Sequence, residues 1–150
     1  LQECQREQVV NAYDNSIVET DHFLDSVLQW LRAQEKHAQT AMIYVADHGE
    51  SLGENGIYLH GMPYSIAPDV QKHVPWVTWL SPSMQTRTGI STGCLQQNMR
   101  DKRISHDSYF HSVLGLLDVQ TGLHQLALDV YADCAAATSA SASKKMPLPG

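Results

Sequence analysis

The chain has 150 residues, 43% of them hydrophobic, with ten Lys and Arg against sixteen Asp and Glu for a net charge of −6. That length supports one domain with a real core, and an acidic balance without a basic cluster excludes a protein built to grip nucleic-acid phosphates. The apolar runs reach about six residues, far short of the ~20 that a membrane span requires, and Leu1-Gln-Glu-Cys4 lacks the charged and apolar regions of a signal peptide. Any membrane anchor is therefore expected outside this chain. The missing initiator Met, ahead of polar sequence that leads straight into a helix, points to a piece of a longer protein.

From about Gln5 to Gln34, Val10, Tyr13, Ile17, Leu24, Val27, Leu28 and Leu31 recur at the three-and-four spacing of one helical face. Asp14, Asn15, Glu19, Asp21, Asp25 and Gln29 fill the other face, so the segment predicts a long amphipathic helix. The run 41–46 is short, with a Tyr and two β-branched residues, and Gly49 stops it, which predicts a strand. Its near-continuous apolarity suits a strand covered on both faces, as in a parallel sheet under helices. Pro63 and Pro68 make 61–69 an irregular loop. A second strand is predicted over 74–80, with Pro75 confined to its start or to an edge position. Trp76 and Trp79 fall on opposite faces of it and are expected in the core.

Residues 81–91 carry turn residues, 104–118 predict a helix with Ser105 as N-cap, and 122–131 predict a short last helix. The Ala, Ser and Lys-rich stretch 135–150 has almost nothing to bury and predicts a disordered tail after a domain spanning 1–134. Cys4, Cys94 and Cys134 match no zinc-finger spacing. In an oxidising compartment an odd count leaves one without an internal partner, and in a cytosolic domain all three would be thiols.

Asp47-His48 sits at the mouth of the first strand, where ligands of α/β sheets collect. A carboxylate and an imidazole that converge beyond a strand end suit a divalent ion such as zinc. The dipeptide also reads as an Asp capping the next turn beside a solvated His. His60 follows twelve residues after His48, across a loop whose glycines 49, 53 and 56 let it fold back to the same point. Glu50 and Glu54 are further oxygen donors that read as solvated surface carboxylates.

An EF-hand beginning at Asp47 is excluded by Gly49, Ser51 and Tyr58 at its third, fifth and twelfth positions. A P-loop and a His-Glu-x-x-His helix are excluded as well. His106-Asp107 opens a helix and is explained by helix electrostatics. His22, His37, His111 and His124 read as packing or surface residues, and His73 is left unplaced.

Asn11-Ala-Tyr-Asp-Asn-Ser-Ile17, Thr20-Asp21, Ala46-Asp-His-Gly-Glu-Ser-Leu-Gly-Glu-Asn-Gly56, Tyr58-Leu-His-Gly61, Pro63-Tyr64, Ala67-Pro68 and Val74-Pro75-Trp76 occur in that order. Over about residues 4 to 120 the chain thereby resembles the C-terminal half of the periplasmic catalytic domain of lipid A phosphoethanolamine transferases, the mobile colistin resistance enzymes included. The resemblance implies an α/β class, as part of an α/β/α sandwich of the alkaline phosphatase and sulfatase superfamily. It implies an enzyme that uses Zn2+ to move phosphoethanolamine from a phosphatidylethanolamine donor to a lipid A acceptor through a covalent phosphothreonine-type intermediate. It also implies a bacterial inner-membrane protein, held by a helical N-terminal membrane domain outside this chain, with the catalytic domain facing the periplasm and polymyxin resistance as an associated trait.

By the same resemblance Asp47 and His48 match two zinc ligands, and His60 matches a histidine that contacts the transferred phosphate or a second metal. Cys4 matches a half-cystine whose partner precedes the chain. The family's threonine nucleophile, a glutamate ligand and a further histidine come from the earlier half of the domain and have no match at the corresponding positions here. Thr20 and Thr40 belong to the helix and its exit. The chain alone is therefore expected to be inactive and to bind zinc weakly. A sulfatase- or phosphatase-type hydrolase and a noncatalytic zinc-binding module are the alternatives.

Overall fold

A computed structural model describes residue 1 and residues 3–135 of the chain, so the expected tail lies outside the described residues from 136 onward. The described residues form two compact units, 1–81 and 82 onward. Both mix helix with short strands or turns, as the α/β class expected from the sequence requires. Among the described residues no helix is long and apolar enough to cross a membrane.

The first unit opens with α1, Arg6–Gln34, where the Gln5 N–H donates to Gln8 Oε1 at 3.1 Å. Its apolar stripe packs only in part: Val9 is buried, Tyr13, Leu24, Val27 and Leu31 are half-buried, and Ile17 is exposed. Strand β1, Ala41–Val45, pairs antiparallel with β4, Trp76–Leu80, in the register Ala41↔Leu80 to Val45↔Trp76. The two ends are tied again outside the ladder, because Ser81 N–H donates to Thr40 O and Thr40 N–H donates to Ser81 Oγ.

The parallel pairing expected of β1 is therefore corrected. Between β1 and β4 lie a two-stranded ribbon, β2 Ser51–Leu52 with β3 Tyr58–Leu59, and a single turn of helix, α2 Asp69–Lys72. That connection holds no crossover helix of the kind a parallel return needs, so the chain doubles back. Among the described residues β1 is not covered on both faces, since Met42 is its buried residue and the other four are half-buried. The tryptophans depart from expectation in the same way. Trp76 and Trp79 are half-buried; Trp76 donates to Thr78 Oγ1 at 3.2 Å and Trp79 lies 5.9 Å beneath the Arg32 guanidinium. An indole at the rim keeps its N–H satisfied and its ring against a cation.

In the second unit, residues 82–88 form a helix, α3, where turns were expected. Pro82 occupies its first position, where the missing N–H costs nothing and the fixed φ suits the helix. Helix α4, Thr92–Asp101, follows, its N-cap Ser91 accepting from Cys94 N–H. Helix α5, Asp107–Leu116, starts two residues after the expected Ser105 cap, whose hydroxyl accepts from Asp107 N–H instead.

The last helix expected over 122–131 is replaced by a 3-10 turn at Leu126–Leu128. The reason is where its backbone N–H groups go. Gln125 N–H donates to His111 Nδ1, Val130 N–H to Ser112 Oγ and Tyr131 N–H to Asp129 Oδ1, so side chains take the place of the i−4 carbonyls. Those buried polar groups are satisfied by the same bonds, and His124 Nε2 meets Asp129 Oδ2 at 3.1 Å. Cys94 and Cys134 form a disulfide across 40 residues, while Cys4 is free and exposed. Closing a loop of that length removes about 4 kcal/mol of unfolded-chain entropy.

Candidate metal and phosphate site

The antiparallel register places the end of β1 beside the start of β4, and the chain leaves β1 into Asp47 and His48. Gly49 then passes α2 so closely that a Cβ there would overlap the Val70 carbonyl oxygen and sit 3.1 Å from its carbon. The Gly49 N–H donates to Gln71 O at 3.1 Å, and buried Gln71 donates through Nε2 to Ser51 Oγ at 2.8 Å. Ser51 is 1% exposed. Glu50 is thus carried on a backbone fixed on both sides.

The loop returns through a run of left-handed residues, Gly53, Asn55, Gly56, Leu59 and Gly61. Leu59, with φ 62, is neither Gly nor Asn, and such a conformation costs of order 1 kcal/mol or more unless its surroundings impose it. Its consequence is the position of the next residue. The His60 ring lies 3.6 Å from the His48 ring between centroids.

Glu50 Oε1 is 2.8 Å from His60 Nδ1 and 3.8 Å from His48 Nδ1. His48, Glu50 and His60 each offer one donor atom within 4.8 Å of the others, a spacing that suits a metal ion. Glu50 Oε2 is buried and has no hydrogen-bond partner. An orphaned carboxylate oxygen beside two imidazoles is what a bound cation would satisfy, and the donor types are those zinc prefers.

Asp47 lies at the rim. Its side chain is 88% exposed, with Oδ2 at 3.6 Å from His48 Nε2. Its carboxyl is held below the ordinary carboxylate range by hydrogen bonds from its own and the His48 N–H, with the charge of His48 adding less. Glu54 is lowered too, by its own N–H and by Leu52 N–H, which donates to Oε2 at 2.7 Å, with Arg6 contributing least. The structure thus brings His48 and His60 together with Glu50, and leaves Asp47 at the rim beside His48 alone. His73 is exposed, with its backbone rather than its ring against Gly49.

Glu50 is the residue that sequence reasoning placed wrongly. Its side chain is 24% exposed and bridges the two histidines. The available signal was its position, two residues after one histidine and ten before the other, on the Gly49 turn. Glu54, by contrast, serves the loop's own backbone.

Residues 2–119 match the sulfatase family model. The chain is 45% identical over 134 residues, 89% of its length, to the phosphoethanolamine transferase EptA of Salmonella typhimurium, of which the match covers 24%. It is similar at a TM-score of 0.85 and 41% identity to the soluble domain of lipooligosaccharide phosphoethanolamine transferase A from Neisseria meningitidis, covering 89% of this chain and 40% of that one. The integral membrane form of that Neisseria protein matches at a TM-score of 0.84 and 42% identity, over 25% of its chain. The chain thus spans about a quarter of the length of the curated relatives it matches. With the family model matched across more than three-quarters of its length and the Asp47 to His60 loop folded back on itself, the chain belongs to the sulfatase family.

Proposed function

We propose that this segment supplies Asp47 and His48 as zinc ligands, and His60 as a phosphate contact, to an enzyme that moves phosphoethanolamine from phosphatidylethanolamine to lipid A. The observation that carries the proposal is the convergence of His48, Glu50 and His60 around a buried carboxylate oxygen with no partner. The names of the relatives support the transferred group. The nucleophile, a threonine that becomes transiently phosphorylated, belongs to a part of the protein outside these 150 residues. The enzyme sits in the bacterial inner membrane with this part facing the periplasm.

A phosphodiester repels nucleophiles by its charge, and zinc offsets that charge while lowering the nucleophile's pKa. The residues of this chain do the positioning. Asp47, its carboxyl held below the ordinary carboxylate range by backbone hydrogen bonds, and His48 would hold the ion at the strand end. With Glu50 accepting from His60 Nδ1–H, the ring is fixed with Nε2 left for a phosphoryl oxygen. Splitting transfer into two in-line displacements requires that the phosphoryl group be held between them, which is the task assigned to His60.

The direct test is transfer from a fluorescent phosphatidylethanolamine to lipid A by the full-length protein containing this segment. Asp47→Asn is expected to reduce transfer to background while the purified protein stays folded by circular dichroism. Transfer at the unsubstituted rate would contradict the proposal.

A further inference from the structure

Beside His48 and His60 the first unit holds a cavity of about 250 Å³, lined also by Tyr64, Gln71 and Lys72. Lys72 is the cation among these residues. Its side chain is 24% exposed, and its ion-pair partner Asp69, at 3.1 Å, is itself 78% exposed. With its Asp69 end open to solvent the pair is weak, and the ammonium can exchange that carboxylate for another anion. The Lys72 ammonium also stands 5.4 Å from the ring centroid of Tyr64, another lining residue, a contact that orients it without neutralising it.

The placement of Lys72 is fixed by the same contacts that fix Glu50. It follows Gln71, whose carbonyl accepts from Gly49 N–H and whose side chain donates to Ser51, so α2 and the metal loop are locked together. Charge accounting then gives the lysine a task. Asp47 and Glu50 bring two negative charges to the site, which one doubly charged ion would only cancel, while the loop's third carboxylate, Glu54, faces Arg6. A phosphodiester entering beside them needs a further positive group, and Lys72 is on the wall.

We infer that Lys72 is a substrate contact, its ammonium donating to an oxygen of the phosphoryl group that His60 faces. The inference rests on the transfer chemistry proposed above and adds the residue that makes the cavity attractive to the anion. As a point charge with three donors, lysine suits a tetrahedral anion whose orientation changes during transfer. The ligand class is a phosphate mono- or diester, and the headgroup of a lipid or free phosphate both present it.

The test uses the whole 150-residue chain at low salt, with inorganic phosphate and phosphoethanolamine titrated separately and followed by NMR shifts of the cavity residues. Lys72→Gln is expected to weaken phosphate binding by about 10-fold to 100-fold, the range for loss of a charged hydrogen bond, while Lys72→Arg keeps it within a few-fold. Stronger binding of phosphoethanolamine than of phosphate marks a headgroup site, and equal binding marks a plain phosphoryl site; in both cases dependence on Lys72 supports the inference. No phosphate binding by the unsubstituted chain, or equal binding by Lys72→Gln, overturns it. Zinc affinity, read separately by competition with a chromophoric chelator, is expected to be the same in all three proteins. Zinc uptake without an effect of Lys72 removes this inference alone, whereas Lys72-dependent phosphate binding with zinc uptake too weak to measure agrees with the weak zinc binding expected of this segment alone and leaves the contact standing.

Discussion

Gly49→Ala is expected to destabilise the first unit by about 2–3 kcal/mol, the range for forcing extra volume into a packed site. For a unit of this size that corresponds to a fall in melting temperature of roughly 10 °C or more. A methyl group there would overlap the Val70 carbonyl oxygen, and the nearby atoms, Val70 C and His73 O, are also backbone. No rotamer change can relieve such a contact. The loop must lift away from α2, which breaks the Gly49 to Gln71 bond and frees the Gln71 side chain from Ser51. Glu50 is the next residue, so zinc affinity should fall together with stability. A melting curve followed by tryptophan fluorescence checks the first effect, and a substituted chain melting within about 2 °C of the original would contradict it.

Glu50→Gln separates the site from the fold. The amide keeps the size of the side chain and a hydrogen-bonding oxygen but removes the charge, so stability should change little. Zinc affinity is expected to fall about 10-fold to 100-fold, as it does when a carboxylate that supports metal-binding histidines is lost. In the present geometry the carboxylate spans both imidazoles, at 2.8 Å and 3.8 Å, and its second oxygen is buried without a partner. An amide NH2 turned toward His60 would also compete for the wrong tautomer. Zinc titration against a chelator, with the His60 ring resonances followed in parallel, measures both consequences. Unchanged affinity would show that Glu50 only packs the loop.

The elements that local patterning encodes were legible in the sequence. The apolar period of α1 and the short β-rich runs of β1 and β4 are each carried by residues within the element, and the family loop from Asp47 to His60 carries its own glycines. What was not legible depended on partners far along the chain. The direction of β4 against β1 follows from the absence of a crossover helix between them. The loss of a regular helix after Gly122 follows from His111, Ser112 and Asp129 capturing backbone N–H groups. Glu50 was missed for the same reason. Its burial depends on Gln71 and Ser51 holding the backbone, a contact between residues 20 apart. Cys94 and Cys134 could not be paired from spacing alone, because two distant cysteines fit a bridge only once α4 and the last turn are placed.

Asp47 and His48 are expected to act as ligands, with Glu50 supporting the pair and His60 facing the phosphate, so the identity of the atoms around the ion is the decisive quantity. X-ray absorption at the zinc edge, on the full-length protein containing this segment loaded with one equivalent of zinc and on its His48→Ala variant, measures it directly. The expected result is nitrogen and oxygen neighbours at about 2.0–2.1 Å, with imidazole scattering that is reduced in the variant. Sulfur neighbours at about 2.3 Å, which would place the ion on exposed Cys4, or a spectrum indifferent to His48→Ala, would contradict it.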